Sequence, residues 1–342
     1  MTSITPEKGK VVLIGSDVVD VVALPVQVEL AKRGIETAYL NAAADQGSLL
    51  DALRDADVLY CPGAFPVTPQ HMDAARNLRA VVSIYTGTEG IDESAATARN
   101  IVVANGQITE NTDSMAEAAI LMMLAATYDL AGAERSMTAA GMHAPRRPAR
   151  MLQNRTVGLI GFGAIGRAVA KRLEAWNIDL LISTPRPQPP YPYGAQVVSL
   201  ETLLATADVT CLLAPLRPET QNLLNRERLA GTKQGSIFVN MSRGQLVDEQ
   251  ALFELARDRH FTAIALDVFV TEPLPADSPL RTLPNAILTP HALGHTLDSK
   301  EGLVTAGLEN ITRALAGVSP AHVRNPAILP SWEKRWSKAA NE

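Results

Sequence analysis

The chain has 342 residues, 46% of them apolar, which is about twice the length of a typical single domain, so two domains are expected. Its 31 basic and 36 acidic residues leave a net charge of −5, with no Lys/Arg cluster of the kind that follows a phosphate backbone, which argues against nucleic acid as a partner. The only two cysteines, Cys61 and Cys211, sit in apolar runs (DVLYC and VTCLL), so buried free thiols in a reducing, cytoplasmic setting are expected rather than a disulfide.

The N-terminal MTSITPEKGKVVLIG turns directly into a strand pattern and lacks the basic start, long apolar stretch and cleavage site of a signal peptide. From Lys10 onward, short β-rich runs alternate with helical ones: VVLIG, VALPVQVELAKRG, ETAYL, SLLDALRDA, DVLYC, HMDAARNLRA and VVSIY. This βαβ rhythm predicts a parallel sheet covered by helices. A domain junction is expected near Gly106, followed by a long helix from Asn111 to Met137. The most apolar window, Met115 to Ala133, is interrupted by Glu117 and Asp129 and falls short of the roughly 20 apolar residues of a membrane span, so it reads as a buried or interface helix, with no membrane as partner. The stretch GMHAPRRPAR then reads as an exposed loop. A second α/β series follows with VGLIG at Val157, DLLI, VTCLL, SIFVN, TAIAL and AILT. After His295 the pattern is again helical (LVTAGLENITRALAG), and a Pro- and Trp-containing tail is expected to pack back on the first unit.

VGLIGFGAIGRAVAKRLEAW places Gly161, Gly163 and Gly166 in Gly-x-Gly-x-x-Gly spacing after an apolar strand and at the opening of a helix. The first glycine permits a tight turn, the second lets backbone approach a pyrophosphate, and the third allows close helix–strand packing, while the helix N-terminus attracts the anion. In NAD-binding folds an acid about 20 residues further on holds the ribose. Here the second strand ends in Ser183-Thr184-Pro185-Arg186, without a carboxylate. Loss of the acid removes repulsion against a 2′-phosphate, and the Arg186 fork can pair with it, so NADP is expected ahead of NAD.

Five further segments, in order, resemble the D-isomer-specific 2-hydroxyacid dehydrogenase family: YTGTEGID its substrate loop, ENTDSMAEAAILMML its long interface helix, VNMSRGQLVDEQAL its arginine motif, ALDVFVTEP its acidic motif and LTPHALGHT its histidine motif. The resemblance implies two Rossmann-like, doubly wound parallel-sheet domains. A substrate domain of residues 1–106 plus 300–342 would carry an inserted dinucleotide-binding domain, 107–299, with catalysis in the cleft between them and a homodimer as the assembly. It also implies roles for residues. Thr86 and Gly87 would offer backbone N–H groups to a substrate carboxylate, with Thr86 also near the nicotinamide. Ala164 and Ile165 would meet the pyrophosphate, Ala214 and Pro215 the adenosine side, Met241 and Ser242 the nicotinamide side, Asp267 the carboxamide, and Gly294 would line the cofactor site.

Reducing a 2-oxo acid requires a hydride to the carbonyl carbon, a proton to its oxygen and a cation fixing the carboxylate. Arg243 can bind the carboxylate and carbonyl oxygen bidentately, His291 can give the proton, and Glu272 would hold the imidazole. His295 lies outside the matching position, and His71, His143, His260 and His322 have no motif around them. No metal set is visible, since neither cysteine lies in a Cys-x-x-Cys pair.

The departures from the family narrow the substrate. Where phosphoglycerate dehydrogenases of this family carry an arginine, the chain has Tyr60-Cys61-Pro62-Gly63-Ala64-Phe65, and where formate dehydrogenases carry glutamine it keeps Glu272. A small unphosphorylated acid such as glyoxylate or hydroxypyruvate is therefore expected. Phosphoglycerate oxidation is the runner-up, and a non-catalytic, dinucleotide-sensing corepressor-like binding protein is the alternative from another class.

Overall fold

The computed structural model describes residues 9–138, 147–189, 191 and 194–336. In chain order the elements are β1 (Lys10–Gly15), α1 (Asp20–Lys32), β2 (Glu36–Asn41), α2 (Gln46–Leu53), β3 (Val58–Cys61), α3 (Pro69–Ala74), β4 (Ala80–Ser83), α4 (Glu93–Ala98), β5 (Val102–Ala104), α5 (Thr109–Thr127) and α6 (Leu130–Thr138). They continue as β6 (Thr156–Ile160), α7 (Ala164–Leu173), β7 (Asp179–Ser183), β8 (Gln196–Val197), α8 (Leu200–Thr206), β9 (Val209–Leu212), α9 (Arg226–Ala230), β10 (Ile237–Asn240), α10 (Glu249–Arg257), β11 (Ala263–Leu266), β12 (Ala286–Leu288), α11 (Leu297–Leu315) and α12 (Leu329–Trp336). The chain divides into two compact units, 1–111 with 296–342 and 112–295.

The first unit holds a parallel five-stranded sheet in the order β2-β1-β3-β4-β5. Its strands other than the edge strand β2 are apolar on both faces because helices cover both. Val11, Leu13, Tyr60 and Val82 enter one buried layer, and their alternating neighbours Val12, Ile14, Leu59 and Val81 the other. β5 was not anticipated: three residues are too short for a periodic signal, and only pairing with β4 defines it. The tail does return to this unit, with Trp332 fully buried and its indole N–H donating to the Arg79 carbonyl at 2.7 Å.

The second unit holds a parallel seven-stranded sheet, β12-β11-β10-β9-β6-β7-β8, again with two apolar layers. From β6 the chain winds first toward β7 and then back past β6 to β9, so the loop after β6 lies at the switch point where doubly wound sheets bind ligands. The single helix expected from Asn111 to Met137 is corrected to two, α5 and α6, bent by 61°. Asp129 between them takes a left-handed conformation, φ 56°, and its carboxylate pairs with Arg147 at 3.2 Å, which stops the helix despite continuous helical composition. Of the loop expected at GMHAPRRPAR, residues 141–146 lie outside the described residues, as do 190, 192 and 193 near the proline cluster. Among the described residues no single helix is long and apolar enough to cross a membrane.

Candidate active site

The second unit's expected site residues all lie at or shortly after the carboxyl ends of its strands, because in a parallel sheet every strand delivers its following loop to the same edge. After β6, Gly161 adopts φ 98°, and a Cβ there would stand 2.7 Å from the Ala214 nitrogen, so only glycine lets this turn lie against the loop after β9. Gly166 is packed as the third glycine of the fingerprint should be, with a Cβ meeting the Gly161 carbonyl oxygen at 2.7 Å. Gly163, the N-cap of α7, has nothing within 4 Å of such a Cβ. Open space therefore lies against the backbone where α7 presents its first-turn amides, including Ala164 and Ile165, and a pyrophosphate fits it.

After β7, the Arg186 amide donates to the Thr184 hydroxyl at 3.3 Å, and the Arg186 side chain is exposed. After β9, Ala214 is buried and Pro215 exposed; the Ser242 hydroxyl donates to the Ala214 carbonyl, tying the loops after β9 and β10 together. Met241 is buried beneath them.

Arg243 follows β10 in extended backbone. Its carbonyl accepts from Asn240 Nδ2 at 3.1 Å, while Asn240 Oδ1 accepts the Ser242 amide at 3.0 Å, so one buried side chain shapes the whole Asn240–Arg243 turn. Sequence reasoning missed Asn240; a polar amide closing an apolar strand one turn before a candidate arginine was the available signal. Beyond Arg243, Gly244 packs so tightly on Phe269 that a Cβ would lie 2.0 Å from the Phe269 carbonyl carbon.

Phe269 in turn donates its amide to Glu272 Oε1 at 3.0 Å, and Glu272 Oε2 lies 2.7 Å from His291 Nδ1. Burial pushes the Glu272 carboxyl upward, but the bond to His291, the Phe269 amide and the nearby charges of His291 and Arg243 outweigh it and hold its pKa below the usual glutamate value. His291 itself has φ 54°, a left-handed conformation forced on a side chain that seldom adopts it.

Asp267 is almost fully buried, and its Oδ1 accepts from the Thr289 hydroxyl at 2.7 Å and the Ala292 amide at 3.3 Å. It thereby braces the loop that carries His291. Gly294 accepts the Ser114 hydroxyl at its carbonyl, 2.8 Å, against α5. His295 has its amide on the Ala292 carbonyl at 2.9 Å and adds a turn to the same loop. Thr86 and Gly87 belong to the first unit, in the loop after β4.

A seven-stranded parallel sheet with this glycine turn at its switch point is the architecture of a dinucleotide-binding domain. A family profile described as D-isomer specific 2-hydroxyacid dehydrogenase, NAD binding domain, matches residues 120–292. Over 275 residues the chain is 37% identical to D-3-phosphoglycerate dehydrogenase of Mycobacterium leprae, covering 80% of this chain and 52% of that protein, so it spans about half that relative's length. It is 31% identical over 296 residues to glyoxylate reductase of Thermofilum pendens, covering 82% of this chain and 85% of the relative. Among solved structures it resembles an NADPH-dependent glyoxylate/hydroxypyruvate reductase from Sinorhizobium meliloti in complex with NADP and malonate, with a TM-score of 0.82, 26% identity and coverage of 95% of this chain and 98% of that one. The chain belongs to the D-isomer specific 2-hydroxyacid dehydrogenase family, and its residues 120–292 match that family's NAD-binding domain.

Proposed function

We propose that the protein reduces a small, unphosphorylated 2-oxo acid of glyoxylate or hydroxypyruvate size to the D-2-hydroxy acid, with NADP(H) ahead of NAD(H). The observation that carries this reading is the His291–Glu272 contact of 2.7 Å, joined through Phe269 and Gly244 to Arg243. The dinucleotide, when bound, supplies the hydride to the carbonyl carbon. Arg243 fixes the carboxylate and polarises the carbonyl, and the amides of Thr86 and Gly87 serve as further carboxylate donors. Because Nδ1 is engaged by Glu272, Nε2 is the His291 nitrogen that gives its proton to the carbonyl oxygen, leaving a neutral imidazole whose Nδ1–H stays on the carboxylate.

The exposed Arg186 beside Thr184, with no acid between, supports NADP, as does the NADP bound to the Sinorhizobium reductase. The 37% identity to the mycobacterial enzyme supports phosphoglycerate oxidation as a second reading. Against it, Tyr60 and Cys61 are fully buried and Ala64 and Phe65 carry no charge for a phosphate. The domain roles follow: residues 1–106 with 300–342 as substrate domain and 107–299 as cofactor domain. A cytoplasmic setting is supported by two buried, unpaired cysteines. A homodimer is supported by exposed apolar side chains on α5 and α6, including Leu121 and Leu130.

Initial rates over a panel of 2-oxo acids and 3-phosphoglycerate, each with NADPH and NADH or the oxidised forms, test the reading. Turnover confined to 3-phosphoglycerate overturns the substrate; no turnover of any acid overturns the enzyme.

A further inference from the structure

In the loop after β4, three consecutive carbonyls are all held from the same set of buried neighbours. The Tyr85 carbonyl accepts the Gly106 amide at 3.0 Å, the Thr86 carbonyl accepts Asn105 Nδ2 at 2.7 Å, and the Gly87 carbonyl accepts the Ser83 hydroxyl at 2.6 Å. Ser83 is fully buried and Asn105 nearly so. They are the residues at the carboxyl ends of β4 and β5, and the Val82↔Ala104 register sets them side by side.

A trans peptide carries its N–H opposite its C=O. Pinning the carbonyls of Tyr85, Thr86 and Gly87 therefore turns the amides of Thr86, Gly87 and Thr88 away from Ser83 and Asn105. Among the described residues none of these three amides donates a hydrogen bond, and Thr86 and Gly87 lie on the accessible side of the loop. Successive outward-facing amides with no competing acceptor can donate together to an anion. The arrangement also carries a cost: Asn105 Oδ1 is buried without a partner, which an apolar residue would avoid.

We propose that Ser83 and Asn105 are positioning residues that set the peptide planes of the Thr86–Gly87 loop so that it binds a carboxylate, which rests on the reading of that loop as a substrate-carboxylate site. Neither residue needs to touch substrate. Each acts by holding a carbonyl, so its removal loosens the direction of an amide rather than deleting a donor. An amide free to rotate pays an ordering cost on binding that a pinned one does not.

The test compares Ser83→Ala, Ser83→Cys and Asn105→Ser with the parent protein, using oxalate as a non-reducible carboxylate probe in calorimetric titration, alongside KM and kcat for the best 2-oxo acid and KM for the dinucleotide. Ser83→Ala is expected to raise the oxalate Kd and the oxo-acid KM on the order of tenfold, with the dinucleotide KM and the melting temperature nearly unchanged. Ser83→Cys, which keeps a weak donor, recovers part of the loss. A merely structural role lowers the active fraction and leaves both constants where they were. That result, or unchanged oxalate affinity in a folded Ser83→Ala with the same in Asn105→Ser, overturns the proposal, as does failure of both variants to fold. If the parent binds oxalate but reduces no 2-oxo acid, the functional reading fails while the oxalate comparison still decides the role of Ser83.

Discussion

His291 Nδ1 stands 2.7 Å from Glu272 Oε2, although the two residues come from different loops, Glu272 beyond β11 and His291 beyond β12. The contact leaves Nε2 as the imidazole nitrogen for the proposed proton transfer. His291→Ala should lower kcat for oxo-acid reduction by roughly two to four orders of magnitude, with dinucleotide binding retained. Steady-state kinetics with fluorescence titration of the cofactor check this, and near-normal turnover would dismiss the histidine as proton donor.

The same contact makes an acid-stability prediction. The folded-state pKa of Glu272 lies below the usual value of 4.5, so its stabilising contribution is full above that value and is lost as pH falls through the lower folded value. Glu272→Gln removes it. The difference in melting temperature between parent and variant should thus shrink as pH falls below about 4.5. A difference that grows on acidification would show that Glu272 is not held as a depressed carboxylate.

Arg186 is exposed beside Thr184, where an acid would otherwise hold the ribose. Arg186→Ala should weaken use of NADPH by about 1–3 kcal/mol in kcat/KM and leave NADH nearly unchanged. Equal losses for the two cofactors would show that Arg186 does not meet a 2′-phosphate.

Two glycines of one fingerprint should fail differently. Gly161→Ala places a Cβ against the Ala214 backbone in a left-handed conformation, and should cost about 1–3 kcal/mol of stability in denaturant melts. Gly163→Ala meets nothing in the protein, so it should melt like the parent and yet bind dinucleotide on the order of tenfold more weakly. Unimpaired binding in Gly163→Ala would place the pyrophosphate elsewhere.

The apolar side chains left exposed on α5 and α6 predict self-association. Sedimentation equilibrium should give a dimer for the parent and a monomer for Leu121→Glu with Leu130→Glu. A monomeric parent at micromolar concentration would remove the homodimer.

The sequence by itself determined a good deal here. Continuous apolar runs of about four to six residues alternating with helical stretches read as strands buried on both faces, which points to parallel sheets, and the fingerprint glycines obey local rules of backbone space that hold wherever the turn is placed. Arg243, Glu272 and His291 could be named because each sits in a short motif. What brought Glu272 to His291 was the tertiary structure alone. Their contact joins the loops after β11 and β12, and its distance depends on strand order and register, which no local pattern encodes. The break at Asp129 belongs to the same class: helical composition runs straight through it, and the left-handed residue is held by Arg147, 18 positions away in the chain. So does the Thr86–Gly87 loop, whose amides face outward only because Ser83 and Asn105 are neighbours across β4 and β5.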